Sequence, residues 1–262
     1  MKTYNYTFKN NHFIDEIDYS LFANEKSVLI QIFCGNNEST LQYLSNILKD
    51  NIPHAFCIGT TTDGEIENNN VSTLKSIVSI SVFENTTIKI GKAKGKYSFK
   101  NGYMLAKELT TPNTKLFITF TDGISTNAEE YLKGIEEFNN KVIVAGGMAG
   151  DNGVFKHTYI SCGDDVFNCG AVAITLNSDV LEVTNDYKFD WTPIGLEHTV
   201  DDVEGNRIYA ISGMTPVDFY RKYLGNSVSQ TEFPLIVDRN GVPTARAVLA
   251  KHSDGSFSLG VN

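Results

Sequence analysis

Two stretches of this chain share one pattern, and together they constrain its fold more than anything else in the sequence. Val142-Ile-Val-Ala-Gly-Gly-Met-Ala-Gly-Asp-Asn-Gly153 is an apolar run that enters a glycine-rich turn carrying an acid and an amide. Phe56-Cys-Ile-Gly-Thr-Thr-Thr-Asp-Gly-Glu-Ile66 repeats the pattern upstream. Each reads as a buried strand ending in a loop with bare backbone N–H groups and room for close approach. Open α/β sheets place ligands at such strand ends. A tight turn that holds only itself is the competing reading of either stretch alone.

The flanking elements repeat in the same order. Ser27–Cys34 reads as a strand, and Glu38–Asp50 as a helix with Leu41, Leu44, Ile47 and Leu48 on one face. Further on, Lys115–Phe120 reads as a strand and Asn127–Phe138 as a helix with Tyr131, Leu132, Ile135 and Phe138 inward. Ile77–Phe83 and Thr87–Ala93 read as an antiparallel pair around Glu84-Asn-Thr86, with Lys92, Lys94 and Lys96 blunting an edge. His157–Ser161, Gly170–Leu176 and Val180–Thr184 read as three further strands. Aligned on Gly59 and Gly146, the glycine turns lie 87 residues apart. The expectation is an α/β fold of two similar units, 27–100 and 115–186, whose mixed sheets pack together with helices outside. Residues 1–26 read as a lead-in. From about Tyr187 a partial third segment follows, with a strand at Asn206–Gly213 and a helix opened by Thr215 and Pro216 and closed by Gly225. The last run, Ser256–Asn262, reads as a strand in mid-course, which suggests a truncated piece of a longer chain; a natural end on an edge strand is the alternative.

Composition removes several function classes. A net charge of −9 disfavours a nucleic-acid partner. No apolar run approaches the roughly 18 residues of a membrane span, and the N-terminus lacks a signal-peptide core. Cys34, Cys57, Cys162 and Cys169 form no CxxC pair. They read as reduced thiols in a cytoplasmic protein, although Cys162 and Cys169 flank a turn short enough to bridge. The sequence has no phosphate-binding P-loop, HExxH or GxSxG, and Gly146-Gly-Met-Ala-Gly150 is not a dinucleotide fingerprint. His12, His54, His157, His198 and His252 are scattered and read first as surface or hydrogen-bonded histidines.

The best polar candidates are acids beside the glycine turns: Asp63, Glu65, Asp122 and Asp151. Each can also simply hold its own turn. Arg246 alternates with alanines in a strand, where it can clamp a carboxylate or sit outward in a salt bridge. Thr60, Thr61 and Thr62 beside Asp63 and Glu65 allow a nucleophile–base reading on paper, but no motif of that chemistry accompanies them.

Taken together these residues resemble a known family. Gly59-Thr-Thr-Thr-Asp-Gly-Glu-Ile66 resembles the GCSTAGEI signature of FIST sensory domains, and Gly146-Gly-Met-Ala-Gly-Asp-Asn152 resembles their GGxAGD signature. Trp191-Thr-Pro-Ile-Gly195 and Gly205–Pro216 look like the junction to that family's C-terminal half, which normally continues past the end of this chain. Thr60, Thr61 and Asp63 depart from the usual Cys, Ser and Ala.

The resemblance implies a cytoplasmic small-molecule sensing module of bacterial signal transduction, not an enzyme. Amino acids are the implied ligands, and no cofactor is expected. The expected site is Gly59, Thr60, Thr61, Thr62, Glu65, Asp122, Gly146, Gly147, Gly150, Asp151, Asn152 and Arg246. The implied alternative is a haem-binding nitric-oxide sensor, with His157 or His198 as iron ligand. The implied partners are a histidine kinase, a chemotaxis receptor or a diguanylate cyclase.

Overall fold

In the computed structural model, which describes residues 1–67, 69–186, 191–226, 232–239 and 242–260, the chain enters a sheet at once. Tyr4, Tyr6 and Phe8 alternate along β1 (Lys2–Lys9) and pack on the core, so residues 2–9 are not a lead-in. Next come β2 (His12–Phe13), β3 (Ser27–Cys34), α1 (Glu38–Asn51), β4 (Phe56–Thr61), β5 (Glu65–Glu67), β6 (Asn70–Ser72) and β7 (Ser76–Phe83). Then follow β8 (Thr87–Lys94), α2 (Ser98–Leu109), β9 (Thr114–Thr121), α3 (Ala128–Phe138), β10 (Ile143–Met148), β11 (Ile160–Cys162), β12 (Asp165–Phe167) and β13 (Gly170–Asn177).

Two mixed sheets result, ordered β12-β11-β4-β3-β7-β1-β2 and β10-β9-β13-β8. Leu29 and Ile58 of the first share a core with Ile118, Phe120, Val172 and Ile174 of the second. On the outer face of the first sheet, Leu41, Leu44 and Leu48 of α1 cover Val28, Ile30 and Ile32. On the outer face of the second, Leu105, Leu109, Tyr131 and Ile135 of α2 and α3 cover Phe117, Ala171 and Ala173. The fold is thus the expected mixed α/β arrangement of packed sheets with helices outside.

The duplication is visible in the strand registers. Leu29 pairs with Phe56 and, 87 residues on, Leu116 pairs with Ile143. Phe33 and Phe120, also 87 apart, meet edge to face with ring centroids 5.6 Å apart. Strand pairing sets the repeats as β1–β7 and β8–β13, not as 27–100 and 115–186. The two strands expected to pair, β7 and β8, lie in different sheets: β7 sits between β3 and β1, and β8 pairs with β13. Their three-residue link contains no glycine, so the tight-hairpin chemistry is missing.

Three further expectations are corrected. β10 is not a buried strand: Ala145, Gly146, Gly147 and Met148 are exposed on an edge. Leu132 and Phe138 of α3 are 41% and 40% exposed, because the buried stripe runs through Ala128, Tyr131, Gly134 and Ile135. That stripe follows from close helix crossing: a Cβ on Gly102 would lie 2.1 Å from the Tyr131 carbonyl oxygen, and one on Gly134 2.1 Å from that of Phe99. Finally, residues 178–186 carry no strand.

Residues 1–185 form one compact unit and 186–262 a second. In the second unit, β14 (Val200–Glu204), β15 (Arg207–Ile211), α4 (Pro216–Leu224), β16 (Leu235–Arg239), β17 (Val242–Arg246), β18 (Val248–Lys251) and β19 (Phe257–Leu259) build a four-stranded sheet, β14-β15-β19-β18, and a β16–β17 hairpin. Thr215 caps α4, Pro216 opens it and Gly225, at φ 86°, closes it, as its sequence predicts. Of the stretch that begins at Tyr187, residues 187–190 lie outside those described, as do 261 and 262 of the final run.

Candidate functional site

The parallel strands β3 and β4 end side by side, and a cleft of about 480 Å³ opens there. One wall is the start of α1. Asn37 caps that helix, its side-chain oxygen accepting the Thr40 N–H at 3.1 Å and the Ser39 hydroxyl at 2.7 Å. Glu38 follows in the first turn, where the helix dipole favours an anion. The floor is Thr61, 2% exposed. Its Oγ1 accepts the Tyr159 N–H at 3.0 Å, while its own N–H donates to the Tyr159 carbonyl at 2.8 Å. The far wall carries Asp151, Lys156, His157 and Tyr159, with Val154 the only wholly apolar side chain in the lining.

The two glycine turns meet at this cleft. The Gly150 N–H donates to the Thr61 carbonyl at 2.9 Å. Asp63 Oδ1 accepts the N–H groups of Asp151 at 2.9 Å and Gly153 at 3.1 Å. Gly150 is required here, since a Cβ would fall 2.5 Å from the Asp63 carboxyl carbon. Asn152, in the left-handed region at φ 59°, donates its amide to the Gly35 carbonyl at 3.2 Å. Asp151 folds the following loop over the cleft by accepting the N–H groups of Phe155, Lys156 and His157 at 2.8, 2.7 and 3.1 Å. Desolvation pushes the Asp151 pKa up, but those N–H bonds, that of Lys156 foremost, outweigh it and hold the carboxyl below its ordinary value.

The remaining expected residues lie apart from the cleft lining. Gly59 is a packing glycine: a Cβ would meet Ser161 Oγ at 2.5 Å and Leu41 Cδ1 at 2.8 Å. Thr60 turns its hydroxyl to the Thr61 carbonyl, and Thr62 donates to Glu65. Glu65 is 2% exposed, and its carboxylate fills the space a side chain on Gly35 would need. Gly35 is the counterpart of Asp122, so Glu65 matches Asp122 in space. The two carboxylates are not equally well served. Asp122, fully buried, accepts the N–H groups of Ile124, Ser125 and Gly170 and the hydroxyls of Ser125 and Thr126. Burial alone would raise its pKa, but the bonds from Gly170, Thr126 and Ser125 outweigh it and hold it low. Glu65 has the Thr62 hydroxyl on one oxygen, and its Oε2 is buried with no hydrogen-bond partner among the described residues.

Gly146, at φ 145°, presses on the Thr119 carbonyl, whereas Gly147 has open space around it. Arg246 belongs to the second unit, is 8% exposed and donates to the Gly260 carbonyl at 3.1 Å. His198, in the same unit, bonds Ser212 Oγ at 3.1 Å and lies against Phe219 and Tyr223.

A family model described as FIST N domain matches residues 28–214. The chain belongs to the FIST family. FIST domains are small-molecule sensing domains of signal transduction, a ligand-binding family. The match includes both cleft walls and both glycine turns, and it runs past the boundary between the two units. No curated protein matches this FIST chain. Among the described residues no helix is long and apolar enough to cross a membrane, and no group of three His, Cys, Asp or Glu side chains is arranged to hold a metal.

Of the expected residues, Thr61 and Asp151 line the cleft, as does His157 of the haem alternative; Asn36 to Ser39, Lys156 and Tyr159 line it without having been expected. The signal for the first wall was present. Gly35-Asn-Asn37 joins a strand to a helix N-terminus, which is the place α/β folds use for ligands.

Proposed function

We propose that this FIST domain takes a small polar metabolite, an amino acid first among the candidates, in the cleft at the ends of β3 and β4. The observation that carries the reading is the convergence of both glycine turns on a cleft whose walls hold charges of both signs. The α1 N-terminus and Lys156 suit a carboxylate, and Glu38 suits an ammonium. His157, the candidate iron ligand in the cleft lining, is exposed rather than set in an enclosed apolar pocket, which favours the metabolite over the haem alternative. Arg246 bonds its own unit's backbone, and no role in the cleft is assigned to it. Four free thiols suit a reducing, cytoplasmic setting. The bound domain would bias an output module of the histidine kinase, chemotaxis receptor or diguanylate cyclase kind by favouring one of two states.

Titration calorimetry of ligand-free protein against an amino-acid panel tests the ligand class. Binding by at least one member, weakened about tenfold or more by Lys156→Ala, is expected. Absence of heat with every member, together with a Soret band on haem titration, would replace this reading with the haem alternative.

A further inference from the structure

The hairpins β5–β6 and β11–β12 are counterparts. They have equal strand lengths and one pairing register, Ile66 opposite Val71 and Ser161 opposite Val166, each partner 95 residues on. Only the second is docked. β11 runs antiparallel along the outer edge of β4, with Ser161 buried over Gly59 and within 3.2 Å of Ser45 Oγ. Among the described residues β5 pairs with β6 alone, and β10, the counterpart of β4, has an open outer edge. That edge reads Ile143-Val-Ala-Gly-Gly-Met148, with no charge and no proline. The opposite edge of the same sheet, β8, carries Lys89, Lys92 and Lys94. An unprotected edge of this kind is a template for another strand.

The loose hairpin already stands in the matching corner. Glu67 accepts the Thr7 hydroxyl of β1 at 2.7 Å, and in the other hairpin Asp165, the counterpart of Glu67's pairing partner Asn70, pairs with Lys92 of β8. Thr7 lies opposite Ile77 and Lys92 opposite Val172, equivalent places in the two sheets. The side chains across the gap also match. The counterparts of Ser161, Gly59 and Ser45 are Ile66, Gly146 and Leu132, so a polar pair over a glycine in one half becomes an apolar pair over a glycine in the other. Ile66 is 78% exposed and Leu132 41%. The present seat of the hairpin is poor. Glu65 stands where its counterpart Ile160 is buried and apolar, and it keeps an unpartnered buried oxygen, while Leu74 is held at φ 59°.

We propose that β5–β6 is a strap with a second position, in which β5 adds antiparallel to the β10 edge and Ile66 covers Gly146 against Leu132. Residues 62–64 span about 3.3–3.6 Å each when extended. The Gly150–Thr61 bond already brings the chain leaving β10 to the end of β4, so the journey is short. The proposal does not depend on the cleft being a ligand site.

Amide hydrogen exchange on the full chain tests it, read on the peptide spanning 143–148. Docking predicts protection of the β10 amides that do not bond β9, lost at least about tenfold in Ile66→Lys and in Leu132→Lys, with β4 unchanged. Equal exchange in the three proteins overturns the strap, whether the edge is open or held by some other strand. If the lysine variants do not fold, the Ile66→Cys/Leu132→Cys protein decides. Mild oxidation and peptide mapping yield a 66–132 disulfide if the strap docks, and two alkylated thiols at those positions overturn it.

Discussion

The ends of β4 and β10 follow one sequence pattern, pair with their inner neighbours in one register, and stand in opposite surroundings. β4 is covered on its outer edge by β11, and every residue from Cys57 to Thr61 is buried. β10 has no outer partner among the described residues, and its last four residues are exposed. The difference lies in where the following hairpin sits: eleven residues, 149–159, lead to β11 on the other sheet, while three, 62–64, lead to β5, which is paired with β6. Burial of a strand in this duplicated fold is therefore decided by whether a hairpin of the other copy lies along it, not by the strand's own side chains.

The largest test of this comparison sets the two buried carboxylates against each other. Asp122→Ala takes the carboxylate away from five donors, with the bonds from Thr126 and Gly170 fully buried, and denaturant unfolding should show a loss of about 3 kcal/mol or more. Glu65→Gln leaves the fold within about 0.5 kcal/mol, because the oxygen it changes is the poorly satisfied one. Equal losses would break the contrast between the two seats.

A second test concerns neighbouring glycines. Gly146→Ala would force a left-handed backbone and a Cβ onto the Thr119 carbonyl, and should lower stability by about 1–3 kcal/mol. Gly147→Ala enters open space on an exposed edge and should stay within about 0.5 kcal/mol of the parent in the same urea titration.

The smallest effect is in pH. Asp122 and Asp151 both have carboxyls held below the ordinary value in the folded protein. Their contribution is present above the unfolded carboxylate pKa near about 3.9 and is lost as pH falls through the lower folded values. Thermal unfolding of Asp151→Asn should lose less stability than the parent between about pH 5 and pH 2. An unchanged slope would mean that the 151–157 loop adds nothing to the fold.

Much of this was legible in the sequence. Apolar periodicity located α1, α3 and the central strands, and the echo between Gly59 and Gly146 gave the offset that the registers reproduce. The meeting of the two turns also followed from the pattern, and Asp63, a departure from the usual family alanine, became the residue that ties them. What stayed hidden depended on partners distant in the chain. The apolar run at 142–145 looks the same with or without a covering strand, because periodicity reports one strand and not its neighbours. The alternation of Tyr4, Tyr6 and Phe8 is a strand signal obscured by its polar company. Gly102 and Gly134 look like weak points in two helices until the helices cross. The wall of the cleft from Asn36 to Ser39 was missed because capping residues announce a helix start without saying what faces it.

The donation of β11 and β12 to the first sheet has a consequence for synthesis. That sheet begins at Lys2 but receives its last strand only when Phe167 has been made. During translation at about 5–20 residues per second, β4 therefore waits several seconds with a bare apolar edge outside the ribosome. The first sheet of the nascent chain is therefore complete only once the second half has been made.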